Sequence, residues 1–138
     1  TELKPTLKSD YKRTERTAAT VNRLKRNVKL SEEIKKLYEY KCQVCNTYLK
    51  TPYGGIAIGA HIKGLGNPHN GPDVLENMIC LCPNHHEQFD DYGYYIEPNT
   101  LEIKGLEGYE GKKITINKKH KIDKELLKYH YDQYKKNN

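Results

Sequence analysis

The sequence contains no tryptophan, a single phenylalanine and a single methionine in 138 residues, and only 36% of it is apolar. A chain of this length fits one domain, but so few large apolar side chains leave little material for a sizeable core. A staple other than hydrophobic burial is therefore expected. No apolar run approaches the roughly 18 residues of a membrane-spanning helix, and no secretory signal precedes the cysteines. No internal repeat or low-complexity tract is present either.

Cys42, Cys45, Cys80 and Cys82 could supply the staple as disulfides or as thiolate ligands. Without a secretory signal, reduced thiols in a cytoplasmic protein are expected. The chain begins at Thr1 without a methionine, as a processed chain or a fragment of a longer protein would.

The net charge of +6 is unevenly placed: residues 1–41 carry 12 Lys/Arg against 6 Asp/Glu, 42–104 carry 3 against 7, and 105–138 carry 9 against 5. Basic flanks bracket a mildly acidic centre. Such flanks suit a polyanion such as DNA, and central carboxylates suit a divalent cation. Lys-rich helices that are merely solvated are the plainer alternative.

Val21, Leu24 and Val28 recur at helical spacing among Lys and Arg, which predicts a basic helix over about Asp10 to Asn27. Ser31 followed by Glu32 and Glu33 reads as the start of a second, short helix ending near Tyr40, with Ile34, Leu37 and Tyr38 as its apolar stripe. Thr51 to Gly55 marks a turn, and Ile56 to Ile62 is a candidate strand delivering His61. Lys63 to Asp73, with three glycines and two prolines, must be a loop. Asn77 to Leu81 reads as a second strand. A helix follows to about Asp91, with Cys82 near its N-cap and Pro83 at its first position. Tyr94–Glu97 and Leu101–Lys104 flank a turn and predict a hairpin. Lys113 to Asn117 suggests one more strand, and Asp123 to Lys136 a terminal helix. The 12 tyrosines are scattered, as half-buried residues with a wet hydroxyl would be, and a few could stack on bases or touch phosphates.

Two paired-ligand turns stand out. Cys42-Gln-Val-Cys45 and Cys82-Pro-Asn-His85 each present two ligands at two-residue spacing, which is what a tetrahedral structural zinc site requires. Cys80 competes with His85 for the fourth place, but strand alternation more naturally buries it as a small apolar side chain. On a helix beginning at Cys82, His86 and Asp90 form an i, i+4 pair rotated away from His85. They would offer one imidazole and one carboxylate to a second cation and leave positions for water and a phosphate oxygen. His61, on the neighbouring strand, would then be free to act as a base. Singly, each of these residues has a duller explanation as a hydrogen-bonded or solvated side chain; only the ordered set rises above it.

The phrases GAHIKGLGNPHNGPD and NMICLCPNHHEQFD, within Lys41 to Ile96, resemble the HNH endonucleases and most of all HNH domains fused to SRA (YDG) readers of modified cytosine in bacterial restriction enzymes. The likeness extends over roughly residues 11–97. It implies an α+β fold with a ββα-metal core at 41–97, a basic helical lead-in at 1–40 and a strand and helix extension at 98–138. It further implies that His61 is the general base, that Asn77 fixes the loop and the orientation of His61, and that His86 is a metal ligand, with Asp90 where other members have a second helical ligand. Many members place an Asp or His ligand immediately before the base, where this chain has Ala60.

The expected activity is divalent-metal-dependent hydrolysis of DNA phosphodiester bonds, with Mg²⁺ or Mn²⁺ at His86 and Asp90 and structural Zn²⁺ at Cys42, Cys45, Cys82 and His85. Arg13, Arg16, Arg23, Arg26, Lys63 and His69 are candidate DNA contacts, and His69, Asn70 and Asp73 could touch substrate or brace the site, with stabilisation of the loop as the plainer alternative. Expected partners are DNA, an attached or separate modified-base reader and, for double-strand cleavage, a second copy of the chain. The expected setting is a bacterial or phage-like cell interior. A non-catalytic zinc-stabilised DNA-binding module is the alternative, for which Ala60 is the best support. A zinc-ribbon protein-interaction domain is a third reading, and it leaves the basic flanks without a use.

Overall fold

The computed structural model describes residues 18–138, with side chains from Val28 onward. The predicted start of the basic helix at Asp10, together with Arg13 and Arg16, lies outside the described residues. So do the side chains of Arg23 and Arg26.

The element order is α1 (Ala18–Leu37), β1 (Leu49–Thr51), β2 (Gly54–Ile56), β3 (Ile58–His61), a 3₁₀ turn (Leu75–Asn77), β4 (Met78–Leu81), α2 (Pro83–Asp90), β5 (Tyr95–Ile96), β6 (Ile103–Lys104) and α3 (Lys124–Asn137). The described strands pair as three antiparallel two-stranded units, β1–β2, β3–β4 and β5–β6. This is a mixed α+β architecture in which β3, β4 and α2 form the central ββα unit. The Lys63–Asp73 connection is a loop, as expected. The expected strand over Ile56–Ile62 divides between β2 and β3, and Asn77 closes the 3₁₀ turn just before β4.

The two predicted N-terminal helices are one. No Gly or Pro interrupts Ala18–Leu37, so nothing forces a break at Ser31. Tertiary packing explains the serine there. A Cβ on Gly59 of β3 would lie 2.9 Å from both Ile34 Cγ2 and Ser31 Oγ, so a glycine on the strand and a small residue on the helix permit close approach. The helix ends where Glu39 and Tyr40 adopt positive φ (53° and 60°) and the Tyr40 N–H bonds to Lys35 O at 2.8 Å.

Strand β4 is buried along its whole length, unlike a half-exposed alternating strand, because both of its faces are covered. Met78 and Cys80 pack with Ile34, Tyr38 and Ala57 beneath α1. Ile79 and Leu81 face the other way, into a cluster holding Ala60, Phe89, Tyr94, Ile103, Leu126 and Leu127. Cys80 is thus a core residue, as alternation suggested.

The expected strand at Lys113–Asn117 reduces to an isolated bridge, Glu102–Lys113. Its amides diverge: Ile114 N–H bonds to Leu101 O and Thr115 N–H to Gln43 O, so no single neighbour supplies a ladder. Asp123 caps α3 by accepting from Glu125 N–H at 2.9 Å. Two histidines outside the central unit lock the C-terminal segment in place. His120 Nε2 donates to Leu75 O at 3.1 Å, which leaves Nδ1 to accept from the Tyr38 hydroxyl at 2.5 Å. His130 Nε2 donates to Phe89 O at 2.9 Å, with its ring stacked on Phe89 at 3.8 Å between centroids.

Candidate active site and metal centre

The N-terminus of α2 meets the turn after α1. Cys42, Cys45, Cys82 and His85 bring their ligand atoms within 4.8 Å of one another, forming a cluster that could hold zinc. Observed separations are 3.9 Å for Cys45 Sγ to Cys82 Sγ, 3.3 Å for Cys82 Sγ to His85 Nδ1 and 3.8 Å for Cys42 Sγ to His85 Nδ1. A tetrahedral ion with bonds of about 2.3 Å to sulfur and about 2.0–2.1 Å to nitrogen places sulfurs about 3.8 Å apart and sulfur about 3.6 Å from nitrogen. The donor set therefore fits.

Burial pushes the Cys42 thiol up to about 12. Burial also acts upward on Cys45, but hydrogen bonds from Thr47 and from the neighbouring thiols outweigh it and lower that thiol. Burial lowers His85, which keeps its imidazole neutral and able to donate a lone pair. A bound cation would compensate the thiolates directly. Gln43, between the first two cysteines and 1% exposed, ties this turn to β4: its Oε1 accepts from Cys80 N–H at 2.8 Å and its Nε2 donates to Thr115 O at 2.8 Å.

At the far end of β4, Asn77 is fully buried. Its carboxamide accepts from Lys63 N–H at 2.9 Å and donates to Lys63 O and Pro72 O, each at 2.9 Å. Both ends of the loop are gripped by one side chain. Within the loop, Gly71 N–H bonds to Gly64 O at 2.7 Å, and a Cβ on Gly71 would sit 2.2 Å from Lys63 O. Only glycine fits there.

This clamp sets His61 at the end of β3, opposite Met78. His61, His86 and Asp90 line one cavity of about 450 Å³, together with Ala60, His69, Tyr92 and His130. His86 Nε2 lies 2.9 Å from Asp90 Oδ2. That is the distance of a hydrogen-bonded i, i+4 ion pair, and the two side chains together offer one imidazole and one carboxylate to the cavity. Burial pushes the Asp90 carboxyl up, against the pull of His86, and Glu87 and Asp91 add to the rise. A cation in the cavity would relieve that cost. Ala60 shares the cavity and offers it no side-chain ligand atom.

Lys63 and His69 meet on α3 rather than standing free. The Lys63 ammonium lies 4.3 Å from the centre of the Tyr129 ring, and His69 Nδ1 hydrogen-bonds the Tyr129 hydroxyl. Asp73, expected to touch substrate or brace the site, does meet it: its Oδ1 lies 3.0 Å from His61 Nε2. Two further neighbours, Tyr92 and His130, reach the cavity from beyond α2 and from α3, and nothing in the spacing of the sequence marks them.

Fold and site together define a ββα nuclease-type domain. The HNH endonuclease family model matches residues 42–97, the segment that carries the ββα unit, and supports an HNH family for it. The solved structure of the modification dependent TagI restriction endonuclease is similar, with a TM-score of 0.71 and 36% sequence identity over 76% of this chain and 37% of that one. The chain thus spans little more than a third of the length of that protein. No curated protein matches the chain. Among the described residues, no helix is long and apolar enough to cross a membrane.

Proposed function

We propose that this chain is the DNA-cleaving module of a modification-dependent restriction enzyme. The observation that carries this reading is the convergence of His61, His86 and Asp90 on one cavity, behind which Asn77 fixes the loop. DNA held by the basic flanks would present a phosphodiester to the cavity. His61 takes a proton from the attacking water as general base. His86 and Asp90 hold a divalent ion, Mg²⁺ or Mn²⁺, which when bound stabilises negative charge on the phosphate and leaving oxygen. Asn77 keeps His61 in place, and Zn²⁺ at Cys42, Cys45, Cys82 and His85 sets the position of α2. Lys63 and His69, placed on Tyr129 beside the cavity, approach the flanking phosphates, while Arg13, Arg16, Arg23 and Arg26 supply positive charge from the N-terminal side.

In this reading base recognition belongs to a separate reader domain of a longer chain or to a partner, and the segments 1–40 and 98–138 serve the central 41–97 core as DNA-gripping and bracing extensions. Paired cuts on two strands call for a homodimer. The similarity to the TagI enzyme supports the restriction role.

The test is incubation of supercoiled plasmid with Mg²⁺ or Mn²⁺, with and without chelator. Metal-dependent nicking is expected, and His61→Ala should slow it by about 10² to 10⁴. DNA retention without cleavage by either protein would instead establish the non-catalytic DNA-binding module.

A further inference from the structure

His61 is held from behind by a carboxylate. Its Nε2 lies 3.0 Å from Asp73 Oδ1, and the two side chains are only 21% and 19% exposed. Their meeting is imposed by the fold. Asn77 grips Lys63, two residues after His61, and Pro72, the residue before Asp73, so the two partners hang from one buried carboxamide. The Ile62 N–H adds a bond to Asn77 O at 2.8 Å, and Gly71 closes against Gly64. Twelve positions of glycine- and proline-bearing chain are thereby folded back on themselves, with the carboxylate at the imidazole.

A neutral imidazole has one N–H and one lone pair, and an ionised carboxylate can only accept. The nitrogen facing Asp73 must therefore carry the hydrogen. Resting on the nuclease reading above, we propose that Asp73 is a positioning residue that holds His61 as its Nε2–H tautomer and so makes Nδ1 the atom that receives the proton of the attacking water. In that step a water O–H bond breaks and the proton moves to Nδ1. The water oxygen bonds to phosphorus as the bond from phosphorus to the leaving oxygen breaks. The proton then passes from Nδ1 to solvent, and the leaving oxygen takes one from solvent. Asp73 stays ionised throughout. It orients the ring and faces the imidazolium while that charge exists, the part an aspartate plays behind the histidine of a Ser-His-Asp triad. A loop brace alone would give the same contact but would have no say in which nitrogen is basic.

Ring ¹⁵N NMR of the histidine-labelled chain separates the two, with the His61 signals identified by their absence from His61→Ala. In the wild type the neutral ring is expected to carry its proton on Nε2, and in Asp73→Ala the proton should be shared between both nitrogens. Plasmid nicking by Asp73→Ala should fall about 10²-fold in kcat with little change in KM, within the range of a positioned base. In the His61→Ala background the same substitution should cost nothing more, because Asp73 acts through His61. Asp73→Leu, of similar size and without a polar atom, gives the same readouts if the alanine variant fails to fold. A wild-type ring protonated at Nδ1, an unchanged kcat in the Asp73 variants, or an equal loss with and without His61 would each overturn the proposal. If His61→Ala cleaves as fast as the wild type, the role of His61 as base fails instead, and the ring spectrum still decides whether Asp73 sets the tautomer.

Discussion

Asn77 holds Lys63 at both of its backbone polar groups, accepting from the N–H and donating to the C=O at 2.9 Å each, while its second N–H reaches Pro72 O. One buried amide thus replaces the strand ladder that the loop lacks. Asn77→Ala would leave three backbone groups without this partner and should cost about 2–4 kcal/mol in urea denaturation. Asn77→Asp should cost more, since a carboxylate would face two carbonyl oxygens where the amide donates. Equal stability of the aspartate variant and the wild type would mean that the amide does not make these contacts.

The metal cluster predicts a different kind of failure. Metal analysis of the purified chain should find zinc at one ion per molecule, retained in Cys80→Ala and lost in Cys82→Ser, because Cys80 belongs to the core beneath α1 while Cys82 lies among the four ligands. Chelation or Cys82→Ser should abolish the cooperative unfolding transition. His61→Ala should leave that transition in place. Retention of zinc by His85→Ala but not by Cys80→Ala would reassign the fourth ligand.

Residues whose chemistry depends on local spacing were legible before any fold was known. Cys82 with His85, and His86 with Asp90, need only a helix start at Cys82 to reach their observed arrangement, and Cys42 with Cys45 only its own turn, whereas the meeting of the two turns depends on Gln43 and β4. Pro83 signals that start. Cys80 was legible for the same reason, as one alternation step on a strand. Ser31 misled because a cap-type residue was read without knowledge of what lay opposite; Gly59, 28 positions away, makes it a packing residue. Ile114 and Ile116 have strand spacing, but pairing needs a neighbour, and the amides of this segment turn to Leu101 and Gln43 instead. Asp73 was legible as a loop residue but not as the partner of His61, since that contact depends on a clamp formed by Asn77 across the loop. Such relationships are carried by loop closure, for which sequence periodicity holds no signal.

Asp90 offers the most direct check of the second metal position. Its carboxyl is pushed up by burial and waits beside His86 at 2.9 Å. Asp90→Asn keeps the shape but removes the charge, so the Mn²⁺ concentration for half-maximal nicking should rise at least about tenfold, with the zinc content unchanged. A metal requirement identical to that of the wild type would place the ion elsewhere.

His130 makes a prediction about stability and pH that involves neither metal ligand set. Its ring is 2% exposed, stacked on Phe89 and flanked by Tyr92, and burial pulls it down to about 4. The unfolded chain would protonate it near 6.5. Between those values the unfolded state binds more protons than the folded state, so stability is complete above about pH 7 and falls as the pH drops toward 4. From those two values the loss between pH 7 and pH 5 is about 2 kcal/mol. Urea denaturation at the two pH values measures it. Acid also protonates the zinc ligands, so the informative quantity is the difference from His130→Phe, which can keep the stack on Phe89 and cannot titrate. That variant should lose about 2 kcal/mol less than the wild type on the same acidification. Equal losses in both proteins would show that His130 takes up its proton without leaving the folded core.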